Sequence, residues 1–437
     1  MPYLLNLVYL LLLLLAMPYL AWKSLRAGKY RAGWGEKFLG RVPRRDGERP
    51  CIWLHAVSVG EVNLLPGLIR DLRQRRPDVE CVVSTTTRTG MELAKKRFPD
   101  LLVFYCPLDF SWAVRAAVRR VRPDVLVLAE LELWPNLIGA ARAAGSRVAV
   151  VNGRLSENSF RGYRRIRPLV AGLLRKIDLL AVQDETYAER FRWLGAPAER
   201  VRVTGSIKYD GAETNRDNLT TQALRRLAGL ADDDIVFLAG STQEPEERLA
   251  LDAWQGLAAE WPRLRLIVVP RHPERFDSVA RMLEASAVAW RRRSELDTCE
   301  NRSLAPTAAS VLLVDVIGEL GAWWGTSRIA FVGGSMGSRG GQNMIEPAAY
   351  GAAVCFGPNT WNFRDVVTAM LAHNAAEIVE NGEALARFVR RMLENPGEAD
   401  RLGRNAQALV RSQQGATART GSLLLGLLDK VPARPVA

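Results

Sequence analysis

Cysteine is scarce: five residues in 437, at Cys51, Cys81, Cys106, Cys299 and Cys355. The number is odd, the spacings are wide and the surroundings are apolar and strand-like. Neither a disulfide framework nor a zinc site fits, and reduced core residues of a cytoplasmic protein are expected. Gly-x-Gly-x-x-Gly is missing after the first strand of either half, which disfavours a nicotinamide dehydrogenase. Basic motifs interleaved with aromatics are missing too, and Lys and Arg are spread along the chain, which argues against nucleic acid as a partner. Acidic residues fall short of basic ones, 47 against 60, leaving a formal charge of +13. An anionic membrane surface or a phosphorylated substrate suits that surplus.

What is present starts with an apolar run from Tyr3 to Trp22, interrupted only by Asn6 and Pro18. Its length matches the roughly 20 residues that cross a bilayer. No basic segment precedes it and no small-residue cleavage site ends it, so it reads as an anchor helix over residues 1–22 and not as a removable leader. The segment 23–49 carries nine Lys and Arg against three acids. That flank would stay in the cytoplasm with the globular body behind it, and Tyr3, Tyr9, Tyr19 and Trp22 would suit the interfacial belt. A buried helix, or one lying in the interface, is the alternative.

Beyond Pro50 short apolar runs alternate with helical patterns, which predicts α/β architecture with parallel sheets wrapped by helices. One set of strands is expected at Cys51–Ala56, Glu80–Thr85, Leu101–Tyr105, Val125–Leu128, Val148–Val151, Leu179–Val182 and Val201–Thr204. A second set follows at Ile235–Ala239, Leu264–Val269, Ala287–Trp290, Val311–Val314, Ile329–Val332, Ala353–Phe356 and Glu377–Val379. At 48% hydrophobic residues the chain has enough for two cores. Two Rossmann-like domains facing a cleft are therefore expected, over 50–209 and 235–430, with the polar stretch 210–234 as hinge and Asp232-Asp233-Asp234 as a solvated turn.

Ligands in such sheets bind at the carboxyl ends of the strands, so polar residues there are the site candidates. The first strand leads into Ser58-Val59-Gly60-Glu61, and the fourth into Glu130-Leu131-Glu132, whose acids would face one side if the strand continued. Lys208 follows the seventh strand. In the second half, Gln243-Glu244 follows the first strand, Pro270-Arg271-His272-Pro273 the second, and Asp315 to Leu320 the fourth. The run Arg328–Val332 reads as an inner strand and passes into a loop with Gly333, Gly334, Gly337, Gly340 and Gly341, then a helix from about Met344. Such a loop lets backbone approach a phosphate, helix amides favour negative charge, and Glu346 in the first turn suits ribose hydroxyls.

Several ordered blocks resemble the Kdo transferases, a family that moves 3-deoxy-D-manno-octulosonic acid (Kdo) from CMP-Kdo to a lipid A precursor on the inner face of the bacterial inner membrane. They are the apolar N-terminus with its flank containing Tyr30, Gly35 and Glu36, then Ser58–Glu61, Glu130–Asn136, Asn152–Ser156, Gly205–Asp210, Pro270–Pro273, Gly318–Leu320 and Gly340–Ala349. The resemblance implies an inverting glycosyltransferase of the GT-B architecture, with an N-terminal membrane helix, no catalytic metal and no cofactor beyond the CMP-Kdo donor. It implies Glu61 as general base, Glu130 and Lys208 as transition-state stabilisers, and Pro270, Arg271, Ile317, Gly318, Glu319, Asn343, Met344, Ile345 and Glu346 around the CMP. The implied partners are CMP-Kdo, a phosphorylated lipid A precursor and an anionic membrane surface. Gln342 stands where the family has a histidine, Val316 where it has threonine, and Asn359 where histidine is common. A glycosyltransferase of the same fold using a UDP-sugar on another lipid acceptor is the competing enzyme reading, and a non-enzymatic nucleotide or lipid binder the competing class.

Overall fold

Apolar runs too short for helices and rich in valine, leucine and isoleucine fold here as strands buried on both faces, the pattern parallel sheets require. The computed structural model describes residues 2–27, 33–296 and 310–431; Tyr30 and Cys299 lie outside them. The first set of strands is β1 Cys51–His55, β2 Glu80–Thr85, β3 Leu102–Tyr105, β4 Val125–Ala129, β5 Arg147–Gly153, β6 Leu179–Val182 and β7 Val201–Val203. The second is β8 Ile235–Thr242, β9 Leu264–Pro270, β10 Trp290–Arg292, β11 Val311–Leu313, β12 Ile329–Val332, β13 Ala353–Phe356 and β14 Glu377–Ile378. β10 begins later than expected because Ala287 adopts φ +55°, which breaks the extended backbone.

Each set forms one seven-stranded sheet, in the orders β3-β2-β1-β4-β5-β6-β7 and β10-β11-β9-β8-β12-β13-β14, and every strand pair is parallel. Alternation along β1 divides its side chains between two cores: Cys51 and Trp53 face one, Ile52 and Leu54 the other. Strand order reverses direction at β1/β4 in the first sheet and at β8/β12 in the second. Those switch points open the crevices where parallel sheets bind ligands.

The chain divides into a unit of Met1–Asp210 with Gln413–Ala437 and a unit of Gly211–Ser412. This differs from the expected boundaries at both ends of the second domain. Within the stretch read as a hinge, Leu219–Leu227 is a helix capped by Asn218, whose side chain accepts from Thr221 N at 2.9 Å. Arg216 donates to the carbonyls of Tyr350 at 2.7 Å and Gly325 at 3.1 Å, which fixes this stretch in the second unit. At the other end, the helix Ala416–Leu428 buries Ala416, Leu424 and Leu428 in the same core as Leu68 and Leu72 of the first unit. The Asp210 carboxylate accepts from Gly415 N at 2.6 Å and also from Thr417 N, and Arg76 pairs with Asp429 at 2.8 Å.

The apolar N-terminus is helical over Pro2–Ala27. Among the described residues no helix is long and apolar enough to cross a membrane, so the expected spanning anchor is not found. Its polar residues explain how the helix is held. Asn6 is buried and donates to Ser111 Oγ at 2.8 Å while accepting from Ser111 N at 3.0 Å. Tyr9 donates to Asp109 at 3.2 Å. Leu4, Leu7, Leu11, Leu12, Leu14, Leu15 and Trp22 remain exposed. Of the residues expected in an interfacial belt, Tyr19 has its side chain outside the description.

Candidate active site

At the switch point of the first sheet, β1 ends at His55 and the chain turns into a short helix, Val59–Val62. Ser58 caps it: its Oγ accepts from Glu61 N at 3.3 Å and donates to Glu61 Oε1 at 2.8 Å, while Glu61 Oε2 accepts from Val57 N at 2.8 Å. This reciprocal cap turns the carboxylate back over the strand end. Glu61 is buried, and that burial pushes its carboxyl up to about 7, with hydrogen bonds from Val57 and Ser58 pulling against it and the negative charges of Glu132 and Glu130 adding to it. Beneath it His55 is wholly buried and held neutral, its pKa lowered to about 4 by desolvation. Its Nδ1 lies 2.9 Å from Ser84 Oγ, and Trp134 packs edge-on at 5.8 Å.

The acidic pair after β4 is arranged differently from expectation. The strand stops at Ala129 and Glu130 takes φ +55°, so Glu130 and Glu132 do not share a strand face. Glu130 Oε2 accepts from Arg154 Nε at 2.7 Å, and Oε1 lies 3.2 Å from Lys208 Nζ. Glu132 accepts from Trp134 Nε1 at 2.7 Å, and burial raises its carboxyl above the ordinary range. Asn152, also left-handed at φ +53°, accepts from Ile207 N at 3.0 Å and Ser206 Oγ at 3.3 Å, fixing the turn that carries Lys208. The first unit thus brings Glu61, Glu130 and Lys208 together. Arg154 and Asn152 were visible in sequence as part of a matching block without any role attached.

In the second unit the Gly-rich loop follows β12 and lies beside the end of β8, since the two strands pair from Ile329–Phe237 to Val332–Gly240. Sequence reasoning expected this loop to offer its amides to a phosphate. Instead Glu246, 1% exposed, takes four of the neighbourhood's amides: Oε2 accepts from Gln243 N at 2.9 Å and Gly334 N at 2.7 Å, and Oε1 from Ser335 N at 2.8 Å and Met336 N at 2.9 Å. Glu246 was missed, since an acid in the first helical turn reads as ordinary dipole complementation. The helix expected from Met344 is short, Ile345–Ala349, with Met344 as its cap residue. Asn343 donates to Glu346 at 2.9 Å and accepts from Ile345 N at 3.1 Å. Burial raises the Glu346 carboxyl, opposed by the Asn343 bond and by the charge of Arg271.

Arg271 follows Pro270, the last residue of β9, and its N–H is held by Thr242 O at 3.0 Å. Its side chain is exposed. Pro270, Arg271 and the Asn343–Glu346 turn therefore form one neighbourhood. On the loop after β11, Ile317 is 76% exposed, Gly318 is left-handed, and Glu319 is gripped by Arg293 at 2.9 and 2.7 Å and by Trp323 Nε1 at 3.1 Å. That grip gives Glu319 a structural partner that the sequence reading did not foresee. Among the described residues no three His, Cys, Asp or Glu side chains gather where a metal ion could be held.

A model of the family described as 3-deoxy-D-manno-octulosonic-acid transferase (kdotransferase) matches residues 32–211. A 3-deoxy-D-manno-octulosonic acid transferase of Haemophilus influenzae is 33% identical over 97% of this chain and 98% of its own. The chain belongs to the Kdo transferase family. It is accordingly a glycosyltransferase, and the Kdo transferase of Bordetella pertussis is 34% identical over 84% of this chain and 85% of its own. Solved structures with a similar fold include a UDP-GlcNAc 2-epimerase from Neisseria meningitidis, at TM-score 0.55, 12% identity, 87% of this chain and 100% of that one. A glycosyltransferase from Rickettsia africae aligns at TM-score 0.53 and 13% identity, over 88% and 100%. These show the fold alone, of the GT-B kind, with two parallel α/β sheets in one chain. Two of the residues at which this Kdo transferase departs from the family pattern support the Gly-rich loop, Gln342 at its end and Asn359 from the segment after β13. Gln342 packs against Gly334, and Asn359 donates to Met336 O at 3.1 Å, so both act as uncharged loop supports.

Proposed function

We propose that this enzyme transfers Kdo from CMP-Kdo to a lipid A precursor, a phosphorylated acylated disaccharide, with inversion and with Glu61 as general base. The observation that carries the reading is the Glu61 carboxyl itself: buried at a sheet switch point, held by Ser58 and Val57, and titrating near 7. A base is most effective when its pKa lies near the working pH. In this reading the acceptor hydroxyl gives its proton to Glu61 as its oxygen bonds to the anomeric carbon of Kdo. The bond from that carbon to the phosphate oxygen breaks, and CMP leaves with the electron pair.

Lys208 and Arg154 flank Glu130 and supply positive charge on the acceptor side. Arg271, Asn343 and Glu346, with Pro270 and the turn Ile317–Glu319, would meet the nucleotide, the exposed guanidinium of Arg271 offsetting charge on the phosphate. No metal or further cofactor enters this scheme. The exposed leucines of the Pro2–Ala27 helix and the basic surplus support work at an anionic membrane surface, on the cytoplasmic side of the inner membrane.

The test is transfer of Kdo from freshly generated CMP-Kdo to a tetra-acylated precursor in detergent, by intact enzyme and Glu61→Ala. Mass gain with the intact chain alone, and CMP binding by both, is the expected result. Transfer by Glu61→Ala at an undiminished rate would remove Glu61 as the base, and transfer from a UDP-sugar alone would remove the donor.

A further inference from the structure

A large cavity in the first unit lies between the N-terminal helix, the helices Ser111–Val121 and Pro135–Ala143, and the turn into Arg167–Leu174. It has a volume of about 1240 Å³, above the roughly 300–1,000 Å³ of a site for a drug-sized ligand. Its walls are apolar, among them Leu5, Trp112, Ala140, Ile166, Leu169 and Leu173. Trp112, Ile166 and Leu169 are 44%, 47% and 56% exposed, a lip that water covers poorly. The polar side chains in its floor are already engaged: Ser111 with Asn6 at 2.8 Å, and Asn136 with Asp109 O at 2.6 Å. A peptide backbone would find few partners there, whereas a hydrocarbon chain needs none.

Two further features narrow the occupant. Arg115, Arg119 and Lys176 also line the cavity, are exposed, and form no ion pair among the described residues, so the apolar trough carries a cationic rim. The trough also adjoins a second cavity of about 480 Å³, with Leu133, Pro135 and Tyr163 lining both. That second cavity is walled by Tyr9, Leu12 and Leu13 of the N-terminal helix and ends at Glu132 and Trp134, beside Glu61.

We propose that this trough is an acyl-chain site for the lipid acceptor, the chain lying against Ala140 and Leu173 while the anionic sugar headgroup reaches the carboxylates along Leu133 and Tyr163. The proposal rests on the reading of the acceptor as a phosphorylated lipid. It gives the N-terminal helix a task besides membrane contact: it forms one wall of the substrate's own channel.

The trough owes its depth partly to Gly139 and Gly172, where an added Cβ meets nothing within 4 Å. A Cβ fits there without a clash, and each substitution replaces a helical glycine with a better helix former. The full-length Gly139→Leu/Gly172→Leu enzyme is compared with the unmodified one in two ways. Against dodecyl phosphate below its micelle concentration, calorimetry should show binding by the unmodified protein and at least tenfold weaker binding by the filled variant. In transfer assays the variant's KM for the tetra-acylated acceptor should rise at least tenfold, with turnover of the deacylated phosphorylated disaccharide unchanged.

Failure of the unmodified protein to bind dodecyl phosphate overturns the site whatever the enzyme transfers. Normal binding of dodecyl phosphate with transfer to neither acceptor overturns instead the reading of the reaction. Equal loss on both acceptors, or loss of binding to anionic vesicles with unchanged acceptor KM, assigns the trough to structure or to bulk membrane and overturns the proposal. Should the filled variant not fold, Arg115→Glu/Arg119→Glu serves as the second test: dodecyl phosphate affinity falls at least fivefold and dodecyl maltoside affinity holds, and equal affinities for both ligands would sink the idea.

Discussion

Both units place buried carboxylates at the switch point of a seven-stranded parallel sheet, and they use them in opposite ways. In the first, Glu61 receives two hydrogen bonds besides the capping bond, stands near Glu130 and Glu132, and has its carboxyl pushed up to about 7, so that both protonation states are populated at neutral pH. In the second, Glu246 is surrounded by four backbone amides that fix the shape of the Gly-rich loop. Burial raises the Glu246 carboxyl as well, against the pull of its four amides, so the difference lies in acceptor capacity: a carboxylate with acceptor capacity to spare can exchange a proton, and one saturated by amides holds backbone in place. The same residue type thus gives chemistry in one sheet and a scaffold in the other.

The largest effect that would break this contrast is on Glu61. Glu61→Gln should lower turnover by about 10³-fold, and in the unmodified enzyme kcat/KM should fall tenfold per pH unit below about 7 as the carboxyl takes up its proton. Stability should move the other way. The folded carboxyl is raised from about 4.5 to about 7, so its ionisation opposes folding progressively across that window and fully above it. Glu61→Gln should therefore be the more stable protein at pH 8, by on the order of 2 kcal/mol in denaturant titrations, with no gain at pH 4. An activity profile flat to pH 5 would remove the distinction between the two carboxylates.

Next in size is Lys208→Met, which leaves Glu130 with Arg154 alone. Turnover should drop about 100-fold with little change in KM for the donor, and Lys208→Arg should recover part of it; a change confined to KM would make the lysine a binding group. Smallest in activity is Glu246→Gln. One amide oxygen cannot serve amides arranged around two, so at least one donor loses its partner at a cost of about 1–3 kcal/mol. The expected readings are a lower Tm and CMP binding weakened about tenfold, with acceptor KM unaltered. An equal loss in turnover with CMP affinity intact would place Glu246 in the chemistry.

The inner strands were legible because each is a short apolar run buried on both faces, a signature that needs no long-range information; the edge strand β10, Trp290–Arg292, is only half-buried and was placed three residues early. Glu61 was legible for a similar reason, since its cap partner Ser58 lies three residues away. What was not legible depended on contacts distant in sequence. Glu246 meets Gly334, Ser335 and Met336 some 90 residues downstream, as the hydrogen bonds to those amides show. The left-handed turn at Glu130 that separates it from Glu132 has no glycine to announce it. Hydropathy alone could not reveal that Asn6 and Tyr9 tie the leucine-rich helix to Ser111 and Asp109, about a hundred residues away.

The return of the final helix to the first unit has a consequence for biosynthesis. Residues 211–412 are an insertion: the first unit is interrupted after Asp210 and resumes at Gln413. At translation rates of about 5–20 residues per second, a ribosome needs roughly 10–40 s to make the inserted part. During that interval the first sheet has all its strands but lacks the helix Ala416–Leu428 that covers Leu68 and Leu72. The inserted unit is complete before the unit it interrupts, and an apolar strip on the nascent first unit stays uncovered until Ala416–Leu428 has been made.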